Sequence, residues 1–320
     1  MQNSLTTDDG VTITFPSEFG SYRYISPIGE GSSAVVILVE NKITNNLFAA
    51  KLLKRDKSID KNLERELRFL QSMRHPNIIS VYDIIYLPNA ICVIMEYCPR
   101  GDLISELSAV GHFEPNTLRS YSYQIISALQ FLHSNGWTHR DLKPDNILID
   151  TKGKIKLTDF GHCGEVNKKD PMMCTLCGTY YYIPPEVMEE HPYDGKKADI
   201  WALGVVMYCM ATGQLPWEQG SAQEVRERIM KGQIVNLPNI DKDCLRIVKM
   251  CIVVDPSKRA TIDEIFDDEW FTPIALLEAS RPKIKTTSKI LTMSTTRFTI
   301  NPRRHELKKH STSLYNFTFS

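Results

Sequence analysis

Two polar motifs that flank a short predicted hairpin constrain this chain more than any other feature. The first reads HRDLKPDN over residues 139–146, and the second is Asp159-Phe160-Gly161. Between them, the apolar segments 147–149 and 155–157 enclose a polar turn over residues 150–153. Short apolar runs separated by turn residues predict two paired antiparallel strands. One polar motif therefore directly precedes the first strand of this hairpin, and the other directly follows its second strand.

The register of this hairpin predicts which side chains meet. If the turn is centred near residues 151–152, Asn146 lies close to Thr158 and Asp159. Two oxygen donors then share one end of the ribbon, an arrangement that suits Mg²⁺. Asp141 lies on the loop leading into the ribbon, where it can reach an incoming hydroxyl group. The alternative is an unrelated polar loop and polar turn.

Around this hairpin the chain changes character. Residues 22–97 favour strands at 35–39, 48–53, 78–86 and 90–97, since these segments are apolar and β-branched. One amphipathic helix is predicted over 60–74 from its apolar spacing. Later segments favour helices. One is predicted over 118–132, and weaker helical patterns lie within 221–270. A further helix, buried on all sides, is predicted from an N-cap at Asp199 to Thr212.

Two further features fit a phosphate site. The turn Gly29-Glu30-Gly31 lies between predicted strands and would let backbone N–H groups approach a phosphate. Lys51 lies within an apolar strand, and a buried ammonium needs a partner, which Glu66 on the predicted helix could supply. Taken separately, the glycine turn has a plainer interpretation as an ordinary hairpin turn, Lys51 as an edge-strand lysine and Glu66 as a solvated helix glutamate.

As an ordered set, these motifs resemble the eukaryotic protein kinase superfamily from about Tyr22 to Phe271. The segment 141–146 with Lys143 is similar to the serine/threonine branch. Residues 174–179 (CTLCGT) and the closing Glu269-Trp270-Phe271 resemble its calmodulin-dependent/AMP-activated-like group.

The resemblance implies an α+β, bilobal kinase fold. Its expected divisions are a leader (1–21), a β-rich N-lobe with one regulatory helix (22–98), a mainly helical C-lobe (99–272) and a basic, Ser/Thr-rich, disordered tail (273–320).

The resemblance also implies ATP and Mg²⁺ as cofactors and assigns roles to individual residues. Asp141 would be the catalytic base, and the other catalytic residues would be Lys143, Lys51, Glu66 and Thr179. Asn146 and Asp159 would ligate Mg²⁺. The implied nucleotide-binding residues are Ile28, Gly29, Glu30, Gly31, Ser32, Ser33, Ala34, Val35, Val36, Ala49, Lys51, Met95, Glu96, Cys98 and Leu148.

Regulation and substrate choice follow from the same resemblance. Arg140 is expected to bind a phosphate on Thr175 of the activation loop, which implies an upstream activating kinase. Asp102 and Asp145 match two acids that read an arginine upstream of the target residue, and Cys209 replaces a further acid. Protein substrates with one basic residue before the target Ser or Thr are therefore expected. The alternative is that both acids are solvated surface charges.

The sequence departs from the family pattern at three places. Ala34 replaces the third loop glycine, His162 follows the Asp-Phe-Gly motif, and Pro184-Pro185-Glu186 replaces Ala-Pro-Glu. None of these changes removes a catalytic group. In the family, the glutamate of this last motif pairs with a distant arginine, for which Arg259 is the candidate.

Charge is distributed unevenly along a chain of zero formal net charge. From Arg281 to Ser320, Lys and Arg outnumber acids nine to one, so the remaining sequence is acidic. This tail is predicted to be disordered, autoinhibitory or autophosphorylated, or a dock for an anionic partner.

The eight cysteines lack a framework of short spacings, which favours a cytoplasmic, and also a nuclear, location. Neither a signal peptide nor a transmembrane segment is predicted.

Three other classes of function remain as alternatives. A pseudokinase or scaffold would use the same fold for binding, although the full set of catalytic motifs argues against it. A nucleic-acid-binding tail would need more aromatic residues among its basic ones, so no nucleic-acid partner is expected. A small-molecule kinase fits poorly with the complete segment 159–186.

Overall fold

The computed structural model describes residues 2–31, 34–54, 67, 71–166, 172–173, 177–235 and 240–280. These residues form two compact units. The strand-rich unit takes its described residues from 2–54 and 83–95, and the helical unit takes its own from 67–82 and 96–280. Of the predicted helix over 60–74, residues 67 and 71–74 are described, and 67, 71 and 72 are helical. The tail beyond residue 280 lies wholly outside the described residues.

The strand-rich unit is built on an antiparallel hairpin and a six-stranded sheet. Its strands are β1 (Gln2–Thr6), β2 (Thr12–Pro16), β3 (Glu18–Phe19), β4 (Tyr22–Glu30), β5 (Ala34–Asn41), β6 (Leu47–Lys54), β7 (Val81–Tyr86) and β8 (Ala90–Glu96). Strands β1 and β2 pair with each other, and the sheet has the order β3-β4-β5-β6-β8-β7.

The pleat of β5 and β6 explains how this sheet forms its core. Ile37 pairs with Ala50, and Val35 pairs with Leu52; all four side chains are buried in one cluster. Because side chains alternate across a strand, Val36 and its partner Lys51 belong to the opposite face. One face of the sheet is thus fixed in the core, and the other carries the residues implicated by sequence.

Besides the helical residues 67, 71 and 72, the described part of the helical unit contains eight helices and several short strands. The helices are α1 (Leu103–Val110), α2 (Pro115–Ser134), α3 (Pro185–Met188), α4 (Gly195–Thr212), α5 (Ala222–Met230), α6 (Lys242–Cys251), α7 (Ile262–Phe266) and α8 (Thr272–Ser280). The strands are β9 (Trp137–Thr138), β10 (Ile147–Ile149), β11 (Ile155–Leu157), β12 (Gly164–Glu165), β13 (Met172–Met173) and β14 (Tyr193–Asp194). The α+β class and the predicted hairpin of β10 and β11 are confirmed.

Helix α4 is buried along most of its length, as its uniformly apolar sequence predicts. Its predicted N-cap is wrong. Asp194 caps the helix by accepting hydrogen bonds from the backbone N–H groups of Lys196 and Lys197. Asp199 lies one turn inside the helix and is only 1% exposed. The sequence prediction failed because Gly195 and the two lysines hide the first turn of an otherwise apolar helix.

Both predicted terminal segments contain regular structure. The leader includes β1 and β2, because Ile13 and Phe15 alternate with threonines and enter the core. The predicted tail begins at residue 273, within α8, whose sequence PIALLEA starts with proline and continues with good helix formers. Within the described residues, no helix has the length and apolar character needed to span a membrane.

Candidate active site

A buried carboxylate holds the backbone of the loop that follows β9. Asp199 Oδ2 accepts the N–H of His139 at 2.8 Å, and Asp199 Oδ1 accepts that of Arg140 at 2.8 Å. The ring of His133 on α2 also meets Asp199, with Nε2 to Oδ2 at 2.8 Å. Three contacts from two segments thus fix the start of the predicted catalytic loop on α4.

The sequence analysis took Asp199 for a helix cap and missed this role. A usable signal existed, since an acid within a helix buried on all sides must find hydrogen-bond donors. Nothing in the sequence indicates which donors those are. They lie about 60 residues away along the chain.

The side chain of Asp141 is the centre of the site and is only 6% exposed. Its Oδ1 accepts the hydroxyl hydrogen of Thr179 at 2.9 Å. Its Oδ2 lies 3.1 Å from Lys143 Nζ and accepts the Asn146 side-chain amide at 2.9 Å. Lys143 Nζ also donates to Thr179 Oγ1 at 2.7 Å. The structure therefore brings Thr179 together with three residues of the 139–146 motif.

The hairpin brings the predicted metal ligands to one end, as its register required. Ile147 pairs with Leu157, and Thr158 N–H donates to the backbone carbonyl of Asn146 at 2.9 Å. Asp159 follows directly, with a left-handed backbone at φ 59°. Its side chain lies so close to Gly161 that a Cβ there would come within 3.4 Å of Asp159 Oδ1.

This donor set fits Mg²⁺. Within the described ranges, no group of three or more His, Cys, Asp or Glu side chains is arranged to hold a metal. Mg²⁺ does not require such a group, because it is commonly held by one or two protein oxygens together with phosphates and waters. Asn146 donates its amide hydrogens to the carbonyl and carboxylate of Asp141, at 2.8 and 2.9 Å. Its amide oxygen therefore remains as the group able to act as a ligand.

Asp102 and Asp145 lie close enough to influence one another. Asp102 caps α1 by accepting the N–H of Ser105 at 2.8 Å. The pKa of Asp145 is raised, chiefly by desolvation, with the carboxylates of Asp102 and Asp141 adding to the shift. Concentrated negative charge of this kind favours a bound cation.

Cys209, by contrast, is buried, and burial raises the pKa of its thiol to about 12. It presents no charge to a substrate.

The implicated residues of the strand-rich unit surround its first long hairpin. Gly29 lies near the end of β4, and Gly31 directly follows the strand. The N–H of Gly31 donates to the carbonyl of Ala34 at 3.0 Å. Val36 and Lys51 are cross-strand partners on the face away from the core. Ala49 also alternates onto this face. This surface joins small apolar side chains and an ammonium group beside a glycine turn, a combination that fits the base and phosphates of a nucleotide.

Several predicted site residues lie outside the described residues. These are Ser32, Ser33, Glu66 and Thr175, so the proposed Lys51–Glu66 pair and the Thr175 phosphate site stay predictions. Among the remaining nucleotide residues, Ile28, Glu30, Val35 and Met95 belong to the strand-rich unit, and Glu96, Cys98 and Leu148 belong to the helical unit. Glu96 pairs with Lys156, with Oε1 to Nζ at 2.9 Å.

The predicted pairing of the Pro-Pro-Glu motif is confirmed. Arg259 is 1% exposed, and its two terminal nitrogens donate to the carboxylate oxygens of Glu186 at 2.7 and 3.1 Å. Its guanidinium also stacks over the ring of Trp201, 5.1 Å from the centroid. The pair ties the start of α3 to the segment before α7.

Comparison with known proteins identifies the family. The sequence profile described as "Protein kinase domain" matches residues 22–271, which is most of the chain. This chain belongs to the protein kinase domain family. The match contains every motif described above, and it confirms the resemblance predicted from them.

Curated relatives of this protein kinase carry serine/threonine kinase names. "Serine/threonine-protein kinase SIK1" of Mus musculus is 33% identical over 258 residues, covering 80% of this chain and 33% of the relative. "CBL-interacting serine/threonine-protein kinase 3" of Arabidopsis thaliana is 32% identical, covering 79% of this chain and 58% of the relative. "CBL-interacting protein kinase 12" of Oryza sativa subsp. japonica is 34% identical, covering 79% and 48%. The chain thus spans between a third and about 58% of these relatives.

Proposed function

We propose that this protein is a serine/threonine protein kinase that transfers the γ-phosphoryl group of ATP to hydroxyl groups of protein substrates. One observation carries the proposal. The buried carboxylate of Asp141 is held by Thr179, Lys143 and Asn146 beside the Asn146–Asp159 end of the β10–β11 hairpin. Protein kinase catalysis depends on positioning and charge neutralisation, which this arrangement supplies.

Each residue of the cluster has a defined task in this mechanism. Asp141 accepts the proton of the substrate hydroxyl as its oxygen bonds to phosphorus, and the bond to the ADP oxygen breaks. Thr179 and Asn146 hold the carboxylate in place, and Lys143 stabilises negative charge on the transferring group. Asn146 and Asp159 would hold Mg²⁺, which when bound neutralises phosphate charge.

The nucleotide is proposed to use the strand-rich surface described above. The Gly29–Gly31 turn would cover the phosphates, Val36 and Ala49 would contact adenine, and Lys51 would meet the α- and β-phosphates.

Transfer of radiolabelled phosphate from ATP to a generic basic protein tests the activity. The wild-type protein should label the substrate on serine or threonine, whereas the rate of Asp141→Asn should be about a hundred- to ten-thousandfold lower. Nucleotide affinity, measured by fluorescence with a labelled ADP, should change little in this variant. A wild-type protein that binds nucleotide but never transfers phosphate would instead be the pseudokinase.

The acidic pair Asp102 and Asp145 supports a preference for substrates with a basic residue before the target. A positively charged side chain beside them would relieve their mutual repulsion. Asp102→Asn is the most informative variant, because asparagine caps a helix as well as aspartate does. On a peptide array, Asp102→Asn and Asp145→Asn should each weaken selection for upstream arginine. Selection for proline or acidic residues by the wild type contradicts this preference.

Activation by an upstream kinase acting on Thr175 is also proposed. Arg140 has a left-handed backbone at φ 65°, and its guanidinium donates to the carbonyls of His162 and Cys163. Phosphate oxygens would be stronger acceptors for this group. Phosphorylated protein should therefore be more active than unphosphorylated protein, and Thr175→Ala should remove the difference. Full activity in Thr175→Ala contradicts the proposal.

A cytoplasmic or nuclear location stays a prediction from the cysteine pattern.

A further inference from the structure

The β1–β2 hairpin precedes residues 22–271, where the family profile matches, so it lies outside the matched kinase domain. It is packed firmly onto the strand-rich unit. Ile13 and Phe15 are each 1% exposed, and the ring of Phe15 meets that of Tyr24 edge-on at 5.3 Å. Asn89 donates its side-chain amide to Thr14 Oγ1 at 3.1 Å.

The hairpin covers the reverse of the proposed nucleotide surface. Its buried residues share a cluster with Val35, Ile37 and Leu52. Val36 and Lys51 alternate to the other face of the same strands. Because the sheet lies between them, the hairpin cannot directly contact a nucleotide bound on the Val36 and Lys51 face. The turn of the hairpin, however, contacts Gly31 in the glycine loop, the Gly29–Gly31 segment at the end of β4.

The turn between β1 and β2 is well defined. Gly10 N–H donates to the carbonyl of Thr7 at 2.9 Å, and Val11 N–H donates to Thr7 Oγ1 at 3.1 Å. Thr7 itself is 4% exposed. From this turn, Asp8 N–H donates to the carbonyl of Gly31 at 3.2 Å. Gly31 is thus held on both sides, since its N–H already donates to Ala34.

We propose that the β1–β2 hairpin is a positioning element that holds the glycine loop in order before nucleotide binds. This inference rests on the proposed function, since it assumes that the loop covers phosphates. Glycine-rich backbone loses much conformational freedom when it becomes ordered. A contact that orders the loop in advance removes part of that cost from nucleotide binding. The contact is made by backbone alone, so the Asp8 side chain, which is exposed, is not required.

Asp8→Pro removes this one hydrogen bond with little other change. Asp8 is the second residue of the Thr7–Gly10 turn, a position that proline occupies readily, and the residue before it directly follows a strand. Asp8→Ala is the matched control, because it loses the side chain but keeps the N–H. Hydrogen exchange of the amides in residues 29–36 should be about two- to tenfold faster in Asp8→Pro than in Asp8→Ala or wild type. The KM for ATP should rise by a similar factor, while the KM for a peptide substrate should stay unchanged.

Three outcomes separate this inference from the proposed function. Unchanged loop exchange in Asp8→Pro, or nucleotide binding that is equal or tighter, overturns the positioning role. The same increase in Asp8→Ala also overturns it, because the backbone bond would then not be responsible. A wild-type protein that binds no nucleotide refutes the proposed function, and the exchange measurement on free protein still decides whether the hairpin orders the loop.

Discussion

Asp199 accepts the backbone N–H of His139 at 2.8 Å from the second turn of a helix whose buried residues are almost all apolar. The same carboxylate binds the N–H of Arg140, the residue before Asp141. The position of the proposed catalytic base therefore depends on a charge buried in the hub of the helical unit. Hydrogen bonds to charged groups are stronger than those between neutral ones, and they order the loop that they join.

Asp199→Asn should test this dependence. Asparagine keeps one acceptor oxygen but places an N–H₂ against a backbone N–H donor, so one buried bond is lost. We expect a loss of about 2 to 4 kcal/mol in the free energy of unfolding and a clear fall in kcat. Urea unfolding and steady-state kinetics measure the two effects. Asp267→Asn, at an exposed position, serves as the control, and equal behaviour of the two variants would contradict the expectation.

Thr179→Val should lower kcat more than it lowers nucleotide affinity. Valine matches threonine in shape but removes the hydroxyl that accepts from Lys143 and donates to Asp141. We expect kcat to fall by about ten- to a hundredfold, which is roughly 1.4 to 2.7 kcal/mol of transition-state stabilisation. Thr179→Ser restores the hydroxyl and should recover most of the rate. If serine fails to recover it, the bridging role of the hydroxyl is wrong.

The Arg259–Glu186 pair should show strong coupling. Arg259→Leu leaves a carboxylate largely buried without its partner, at a cost of about 3 to 5 kcal/mol in unfolding free energy. The double variant Arg259→Leu/Glu186→Leu should be more stable than Arg259→Leu, although contacts with Trp201 and the carbonyl of Lys197 remain lost. A double-mutant cycle by chemical unfolding gives the coupling. If the losses of unfolding free energy in Arg259→Leu and Glu186→Leu simply add in the double variant, the two residues are not coupled.

His75 should make the helical unit sensitive to mild acid. Burial, with a contribution from Lys156, lowers the pKa of its imidazole from 6.5 to about 4. The folded protein favours the neutral ring, so this contribution to stability is present above pH 6.5 and is lost as the pH falls towards 4. The expected loss is roughly 1 to 3 kcal/mol. His75→Asn keeps an acceptor for the N–H of Asn77 but does not titrate.

The pH dependence of urea unfolding between about pH 7 and pH 4 checks this expectation. It should be shallower in His75→Asn than in wild type. The exposed His112→Asn is the control and should follow the wild type throughout. An unaltered slope in His75→Asn rules out this histidine as the source.

Local sequence determined the elements that bring the site together. The apolar runs 147–149 and 155–157, with a polar turn between them, fix a hairpin register that brings Asn146 to Thr158. Alternation in β5 and β6 likewise places Val36 and Lys51 on one face. These relationships are short in sequence and follow from strand geometry alone, so the amino-acid pattern is enough to derive them. The pairing of Glu186 with Arg259, in contrast, came only from family resemblance.

Tertiary structure alone decided which distant partners satisfy the buried polar groups. Sequence shows that an acid in an apolar helix needs donors, but the His139 and Arg140 backbone that supplies them is fixed by how the β9 loop packs on α4. The contact from Asp8 to Gly31 is a backbone hydrogen bond, which any residue other than proline could donate. It leaves no signature in side-chain identity, because it depends only on where the packed hairpin places its turn.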